Sequence, residues 1–403
     1  MPVLLLVVFI NFVGIGALIP VLPYTVIETL GLSATVMTLL LASFAFAMFL
    51  SNPLLGRLSD YIGRRPVLIV SLGVNVLAHI WFAFSSDIVQ MFAARILAGL
   101  AAGNTGVIQA MIADRVAAKD RARYMGLFGA AIGTGFVAGP ALGGLFSGLG
   151  DGPLHQAPFL LAAGFGIIAL VLSMRLRESA ANAPAEKASP APLGVRIKTV
   201  LRSELALYAL AFFCLNLSFA QVEASYILLL RDYLGFGATQ TGWLFTYIGV
   251  CIVLVQAGLI NIAVKWFGEV GTVGFGASML VFGQIITALL SVGFLIGDAY
   301  PLAQIVLTTT AVCFGFGFSN PALSAAASNA AGKTTMGGAL GTVQGFASLG
   351  QVAGLVLAGP LYQLGGSHYP FGFGACVTFI LLIVVIVLKR RPTIKAAKPE
   401  PDH

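Results

Sequence analysis

The chain has 403 residues, of which 58% are hydrophobic and only 9% charged. A soluble domain carries about 25% charged residues, so this composition excludes an ordinary soluble enzyme or binding module and describes an integral membrane protein. A net charge of +7 suggests a polyanion partner only until the charges are placed; they mark loops, and no nucleic-acid partner is inferred.

Apolar stretches of 20 or more residues recur, each long enough to cross about 30 Å of hydrocarbon as a helix. A β-barrel would show short alternating segments instead. In chain order the expected helices are 1, Val3–Leu30; 2, Ala34–Leu55; 3, Pro66–Phe84; 4, Ile88–Ile112; 5, Tyr124–Phe146; and 6, Ala157–Met174. Helix 7 covers Leu205–Leu230, 8 Thr239–Ala263, 9 Val270–Ile296, 10 Leu302–Ser324, 11 Met336–Leu364 and 12 Phe371–Leu388. Residues 178–195 are rich in Ala, Pro, Ser, Glu and Lys, a linker composition. The expected division is a six-helix bundle over 1–177, a linker over 178–203, a second bundle over 204–390 and a tail over 391–403. The fold class is all-α, with twelve transmembrane helices. The first run starts at Pro2 without a basic flank and is too long for the core of a cleavable signal.

Twenty of the 22 basic residues fall on one side of this layout. Arg57, Arg64 and Arg65 share one loop, and Arg115, Lys119, Arg121 and Arg123 another. Arg175, Arg177, Lys187, Arg196, Lys198 and Arg202 lie centrally, Lys265 and Lys333 in later loops, and five more in the tail. Arg95 lies within helix 4, and Arg231 alone is on the other side. The excess of positive charge in cytoplasmic loops then places both termini in the cytoplasm. Compact loops without eukaryotic targeting features lead us to expect the cell inner membrane.

The halves look duplicated. Gly135-Phe-Val-Ala-Gly139-Pro-Ala-Leu-Gly-Gly144 of helix 5 agrees at six of ten positions with Gly350-Gln-Val-Ala-Gly354-Leu-Val-Leu-Ala-Gly359 of helix 11, at an offset of 215. Gly99 and Asn104 match Gly315 and Asn320 at an offset of 216. Two parallel repeats about an axis along the membrane normal are a known transporter architecture. Cys214, Cys251, Cys313 and Cys376 lie in apolar runs without metal or redox spacing and read as small packing residues. No nucleophile–base pair or phosphate loop appears. The chain is therefore not expected to be an enzyme, and no cofactor or metal is expected.

Gly56-Arg57-Leu58-Ser59-Asp60-Tyr61-Ile62-Gly63-Arg64-Arg65-Pro66-Val67-Leu68 joins helices 2 and 3. It packs three arginines, one aspartate and two glycines into a polar turn, and a turn so charged marks a membrane face. It resembles the G-x-L-(S/A)-D-x-x-G-R-(R/K)-x-x-L signature of the major facilitator superfamily, with every fixed position filled. Arg95-Ile-Leu-Ala-Gly99-Leu-Ala-Ala-Gly103 resembles that superfamily's R-x-x-x-G-x-x-x-G element. Gly135-x-x-x-Gly139-Pro140-x-x-Gly143-Gly144 resembles the element of its drug–proton antiporter branch. The second copy of the signature, Asn261 to Glu269, keeps Gly268 and has Lys265 in place of the aspartate.

The resemblance implies an exporter of small amphiphilic, drug-like molecules in exchange for protons, working by alternating access as a monomer in the lipid bilayer. It implies a conformational latch built from Gly56, Asp60, Gly63 and Arg64, with Asp60 against the start of helix 11 near Lys333-Thr334-Thr335. Asp114 is the candidate partner of the latch arginines, or else a cap on a basic loop. Glycines four apart make a smooth face for close helix approach, and Pro140 removes a backbone hydrogen bond. Gly135, Gly139, Pro140 and Gly143 are therefore either a hinge or a packing face. Asn11-Phe-Val-Gly14-Ile-Gly16-Ala-Leu-Ile-Pro20-Val-Leu-Pro23 resembles helix 1 of tetracycline-type exporters, which carry an aspartate where this chain has Asn11. That departure removes one protonatable group.

Most acidic residues fall in loops or at helix ends. Glu223 is the exception, about 12 Å of helix rise before Arg231. A carboxylate at that depth is costly and is a functional candidate by default. Arg95 lies at similar depth in the other half, so the two are the candidates for proton coupling, against a Glu223 that only hydrogen-bonds locally. Helices 1, 4, 7 and 10 line the cavity in the resembled fold. On that basis Asn11, Asn104, Gln109, Asn216, Gln221, Glu223 and Asn320 are the candidate contacts to the small-molecule substrate, or else interhelical glue. His79 reads as a packed residue. Competing functions are a metabolite or sugar carrier, and a receptor of the same fold that transports nothing.

Overall fold

The structure is a computed structural model that describes residues 1–116, 120–147, 149, 155–178, 198, 200, 205–293 and 301–390, with backbone only at 121–123, 301 and 331–342. All regular structure among them is helical. Eleven helical stretches are long and apolar enough to cross a membrane. One of these, Ala238–Ser291, has 54 residues, about 80 Å of helix and far more than one bilayer. It breaks at Gly268, whose φ is 70°, so it supplies two crossings, the expected helices 8 and 9. Among the described residues the expected helices 8 and 9 are thus separated at Gly268, and we keep the expected numbers. Most of the expected linker and all of the tail lie outside the described residues, as do the side chains of Lys333, Thr334 and Thr335.

Several boundaries move for physical reasons. Helix 2 runs Ala34–Ile62, two turns beyond the expected end, because its charged end reaches water without losing a backbone hydrogen bond. The expected polar turn therefore shrinks to Gly63, whose φ of 101° suits glycine. Gly268, the glycine kept in the second copy, repeats this with its own positive φ. Glu178 does not belong to a free linker: its carboxylate accepts from the backbone N–H groups of Arg64 at 2.9 Å and Arg65 at 3.2 Å, which caps the first turn of helix 3 (Arg64–Ala83). Helix 1 runs Pro2–Ala17 and, past an interruption at Leu18–Val21, continues to Thr29. Helix 4 is interrupted at Gly103 and Asn104, between Ile88–Ala102 and Thr105–Arg115.

Glycines decide how the helices pack. A Cβ on Gly99 would lie 2.8 Å from the Ala47 Cβ, and one on Gly103 2.7 Å from the Asn52 nitrogen, so the R-x-x-x-G-x-x-x-G face of helix 4 lies directly on helix 2. Helix 5 (Arg121–Phe146) lies as closely on helix 1: a Cβ on Gly135 would sit 3.0 Å from the Phe9 carbonyl oxygen, and one on Gly139 2.7 Å from that of Val13. Helix 11 (Val343–Gly365) repeats this on helix 7 (Leu205–Leu234), where a Cβ on Gly354 would sit 2.6 Å from the Leu217 carbonyl oxygen and one on Gly350 would run into Phe213. The duplication read in the sequence is thus also a duplication of contacts.

The first and last six helices meet through the same repeat. Gly144 packs on Ala238 and Gly242 of helix 8, and its repeat mate Gly359 packs on Ala34 and Thr35 of helix 2. Ala42, Ala45, Ala220, Ala224, Leu355 and Ala358 form a small-residue cluster across that second seam. Hydrogen bonds close the end opposite the basic loops. Thr239 Oγ1 donates to the Gly144 carbonyl at 2.8 Å, Thr35 Oγ1 donates to Gln363 Oε1 at 2.8 Å, and Tyr24 binds the loop before helix 8.

Candidate functional site

Two cavities lie between the halves. The larger, about 390 Å³, is lined mainly by Phe136, Phe219, Phe245, Phe316 and Phe371 with aliphatic neighbours. Its polar groups are Asn216, Glu223, Gln256, Asn320 and Gln351, with the hydroxyls of Tyr226, Thr287 and Thr309. Phe219 and Phe316 stack at 3.9 Å, which offers a flat aromatic face. An apolar wall with a few convergent polar groups suits a small amphiphile. The smaller cavity, about 140 Å³, holds Asn11 and Arg95 of the first half together with Glu223 and Gln351 of the second.

The charged pair comes from opposite halves. Arg95 is 6% exposed, its guanidinium lies 4.4 Å above the Phe44 ring, and its Nε has no hydrogen-bond partner. The aromatic face offsets part of the cost of burying the cation. Glu223 accepts a long hydrogen bond, 3.4 Å, from Gln351 Nε2. Both charges border one chamber, though no ion pair within 4 Å joins them among the described residues.

The remaining candidate contacts divide by direction. Asn216 and Asn320 line the larger cavity, and Asn11 the smaller, where its Oδ1 accepts from Asn75 at 3.4 Å. Gln221 lines neither: it is buried, and its amide donates to the Gly354 carbonyl at 2.8 Å, stitching helix 7 to helix 11. Asn104 donates to Ser71 Oγ at 2.9 Å inside the first half, which satisfies its amide nitrogen where helix 4 is interrupted. Gln109 is exposed and lines neither cavity. Phe136, Ile19 and Gln351 were not among the candidates; two are apolar in a chain full of apolar residues, and Gln351 lies on a helix given no lining role.

At the basic end, Arg64 Nη2 pairs with Asp60 at 2.7 Å and its Nε with Asp114 at 3.3 Å, while Nη1 donates to Ser59 Oγ at 2.6 Å. Asp114 and Asp60 are therefore both partners of Arg64. Gly56 and Gly63 bracket the segment; Gly56 has open space around it, so only Gly63 has a conformational reason to be glycine. The contact expected between Asp60 and the start of helix 11 falls outside the described residues. Pro140 lies inside an unbroken helix 5, with its ring against Gly16 and its carbonyl against Gly242. Cys214, Cys251 and Cys313 are buried, Cys313 on the wall of the larger cavity, and Cys376 faces outward. His79 is buried with its ring edge-on to Phe159.

Comparison with known proteins accords with this geometry. Multidrug resistance protein 2 of Bacillus subtilis (strain 168) is 30% identical over 398 residues, 97% of this chain and 95% of that protein. Tetracycline resistance protein, class H, of Pasteurella multocida is 28% identical over 411 residues, 99% of this chain and 98% of that protein. The crystal structure of a D-xylose-proton symporter superposes with a TM-score of 0.73 at 16% identity, over 95% of this chain and 96% of that one, a likeness of fold alone. The sequence model of the Major Facilitator Superfamily matches residues 4–297 and 272–403, and the chain belongs to that superfamily: it is a multi-pass membrane transporter of small molecules, not an enzyme.

Proposed function

We propose that this transporter exports small amphiphilic, drug-like molecules in exchange for protons by alternating access. The observation that carries the reading is that Glu223 of one half and Arg95 of the other border the same chamber, while Glu223 also borders the larger aromatic cavity. Desolvation disfavours a lone buried charge, so a carboxyl group placed there binds a proton or a cationic ligand, one at a time. Substrate and proton then compete for one group, and each favours a different arrangement of the halves. The drug-resistance relatives support this substrate class.

The conformation described, sealed opposite the basic loops, fits the state open to the cytoplasm when those loops face inward. Both termini are then cytoplasmic, in a cell inner membrane, and the protein acts as a monomer. Asn11, Asn216, Asn320 and Glu223 are the proposed substrate contacts, with Asn104, Gln109 and Gln221 as packing or surface groups. Asp60, Arg64 and Asp114, with Gly63, form the proposed latch. Gly135, Gly139 and Gly143 with Pro140 form the sliding seam between helices 5 and 1.

The test uses proteoliposomes holding a pH-sensitive dye under an imposed proton gradient. Cationic, neutral and anionic amphiphiles are added to wild type and to Glu223→Gln. A compound that releases protons in the wild type and not in the variant is the expected result. Transport without proton movement, or unchanged by the substitution, refutes the coupling.

A further inference from the structure

The two cavities share four lining residues: Ile19, Phe136, Glu223 and Gln351. The internal duplication relates these four in pairs. Gly135 and Gly139 pack on Phe9, Val13 and Gly16, whereas Gly350 and Gly354 pack on Phe213, Leu217 and Ala220. Helices 5 and 11 therefore correspond at an offset of 215, and helices 1 and 7 at an offset of 204. At those offsets Phe136 corresponds to Gln351 and Ile19 to Glu223. The wall between the chambers is thus one structural position used twice, apolar in the first copy and polar in the second.

Each half of this wall has its own chemistry. Ile19 and Phe136 offer water no hydrogen bond. Glu223 and Gln351 touch each other and both chambers. Gln351 sits between Gly350 and Gly354, whose contacts press helix 11 onto helix 7, so backbone packing fixes where its amide can reach. Arg95 of helix 4 faces the carboxyl from the smaller chamber, and Tyr226 of helix 7 and Cys313 of helix 10 border the larger one.

We propose that Gln351 is a positioning residue for the Glu223 carboxyl, and that Ile19, Phe136, Glu223 and Gln351 form a partition between an aromatic substrate chamber and a polar chamber on the Arg95 side. This rests on the reading of Glu223 as the coupling group. Substrate meets the carboxyl from the larger chamber, and the guanidinium faces it from the smaller one. The apolar pair blocks a water path between the chambers, so a proton that crosses does so on the carboxyl oxygen. The proton moves from water to the carboxylate and back to water, and no other bond changes.

The test uses the full chain in proteoliposomes, with ethidium, an aromatic cation, as the probe. Gln351→Met keeps the side-chain length and removes the amide. It is expected to move the pH midpoint of ethidium-driven proton release by about one unit, roughly a tenfold change in proton affinity, with KM for ethidium within about threefold. Gln351→Asn, which keeps an amide, is expected to show a smaller shift than Gln351→Met. Phe136→Ala opens the apolar half and is expected to leak protons about tenfold faster without ethidium, whereas Phe136→Leu stays tight; this pair reads the partition even where Gln351→Met fails to insert. A Gln351→Met profile superimposable on wild type overturns the positioning role. A tight, transporting Phe136→Ala overturns the partition. Wild-type ethidium transport without proton movement overturns the coupling reading itself, an outcome distinct from the other two.

Discussion

Tyr24 Oη lies 2.6 Å from Thr241 Oγ1, a pairing of residues 217 positions apart that joins the end of helix 1 to the first turn of helix 8. The Tyr24 hydroxyl also donates to the Phe236 carbonyl at 2.8 Å. With its single hydrogen given there, Tyr24 accepts from Thr241. This clasp lies at the sealed end, so it holds the halves together in the conformation described.

Tyr24→Phe keeps the ring and removes both hydrogen bonds. Each is worth about 1 kcal/mol, so the opened population is expected to rise by about thirtyfold. The measurement is the labelling rate of Ile19→Cys, in a cysteine-free background, by an impermeant maleimide added on the sealed side. An unchanged rate would show that closure does not depend on this clasp.

Gly143 packs so closely on helix 1 that a Cβ would overlap the Ala17 carbonyl, whereas Gly126 of the same helix has nothing within 4 Å. Gly143→Ala is therefore expected to cost about 1–3 kcal/mol through overpacking and to lower the melting temperature of the detergent-solubilised protein by a few degrees. Gly126→Ala, which meets nothing and gains helix propensity, is expected to leave it equal or slightly raised. Equal melting temperatures for the two variants would mean that the helix 5–helix 1 seam yields freely.

His155 lies just outside the span of helix 6 (Gln156–Met174), with the rings of Phe82 and Phe159 edge-on at 5.7 Å and 6.4 Å. Burial lowers its pKa below the ordinary 6.5, with the Ser85 backbone acting weakly in the opposite direction. The folded protein thus binds this proton more weakly than the unfolded chain does. His155 contributes its full stability above about pH 6.5 and loses it as the pH falls toward the lowered folded value. Melting temperatures between about pH 8 and about pH 5 are expected to fall less steeply for His155→Gln than for wild type. Parallel curves would contradict the account.

Much of the architecture was legible in the chain because a bilayer imposes length and apolarity on every crossing and sorts basic residues to one side. The glycine spacings were legible too, since only a missing Cβ permits the approaches at Gly99, Gly103, Gly139 and Gly354. The cavity lining was less so. Asn104, Gln109, Gln221 and Asn216 look alike as sequence, yet only Asn216 borders a cavity. In a helix apolar on all sides, a polar residue serves as glue as readily as a contact, and periodicity does not separate the two.

The sequence by itself determined that the chain crosses the membrane many times, that its halves repeat, and that Glu223 and Arg95 are its costly intramembrane charges, because each of these follows from composition, spacing or desolvation along one strand of residues. Tertiary packing decided that Asp114 joins Asp60 on Arg64, that Glu178 caps helix 3, and that Ile19 and Phe136 line the same two cavities as Glu223 and Gln351. Arg64 meets Asp114 and Glu178 from 50 and 114 positions away, and Ile19 and Phe136 are apolar residues no different in type from their neighbours, so only the packing of the helices, close at their glycine seams, brings these residues together.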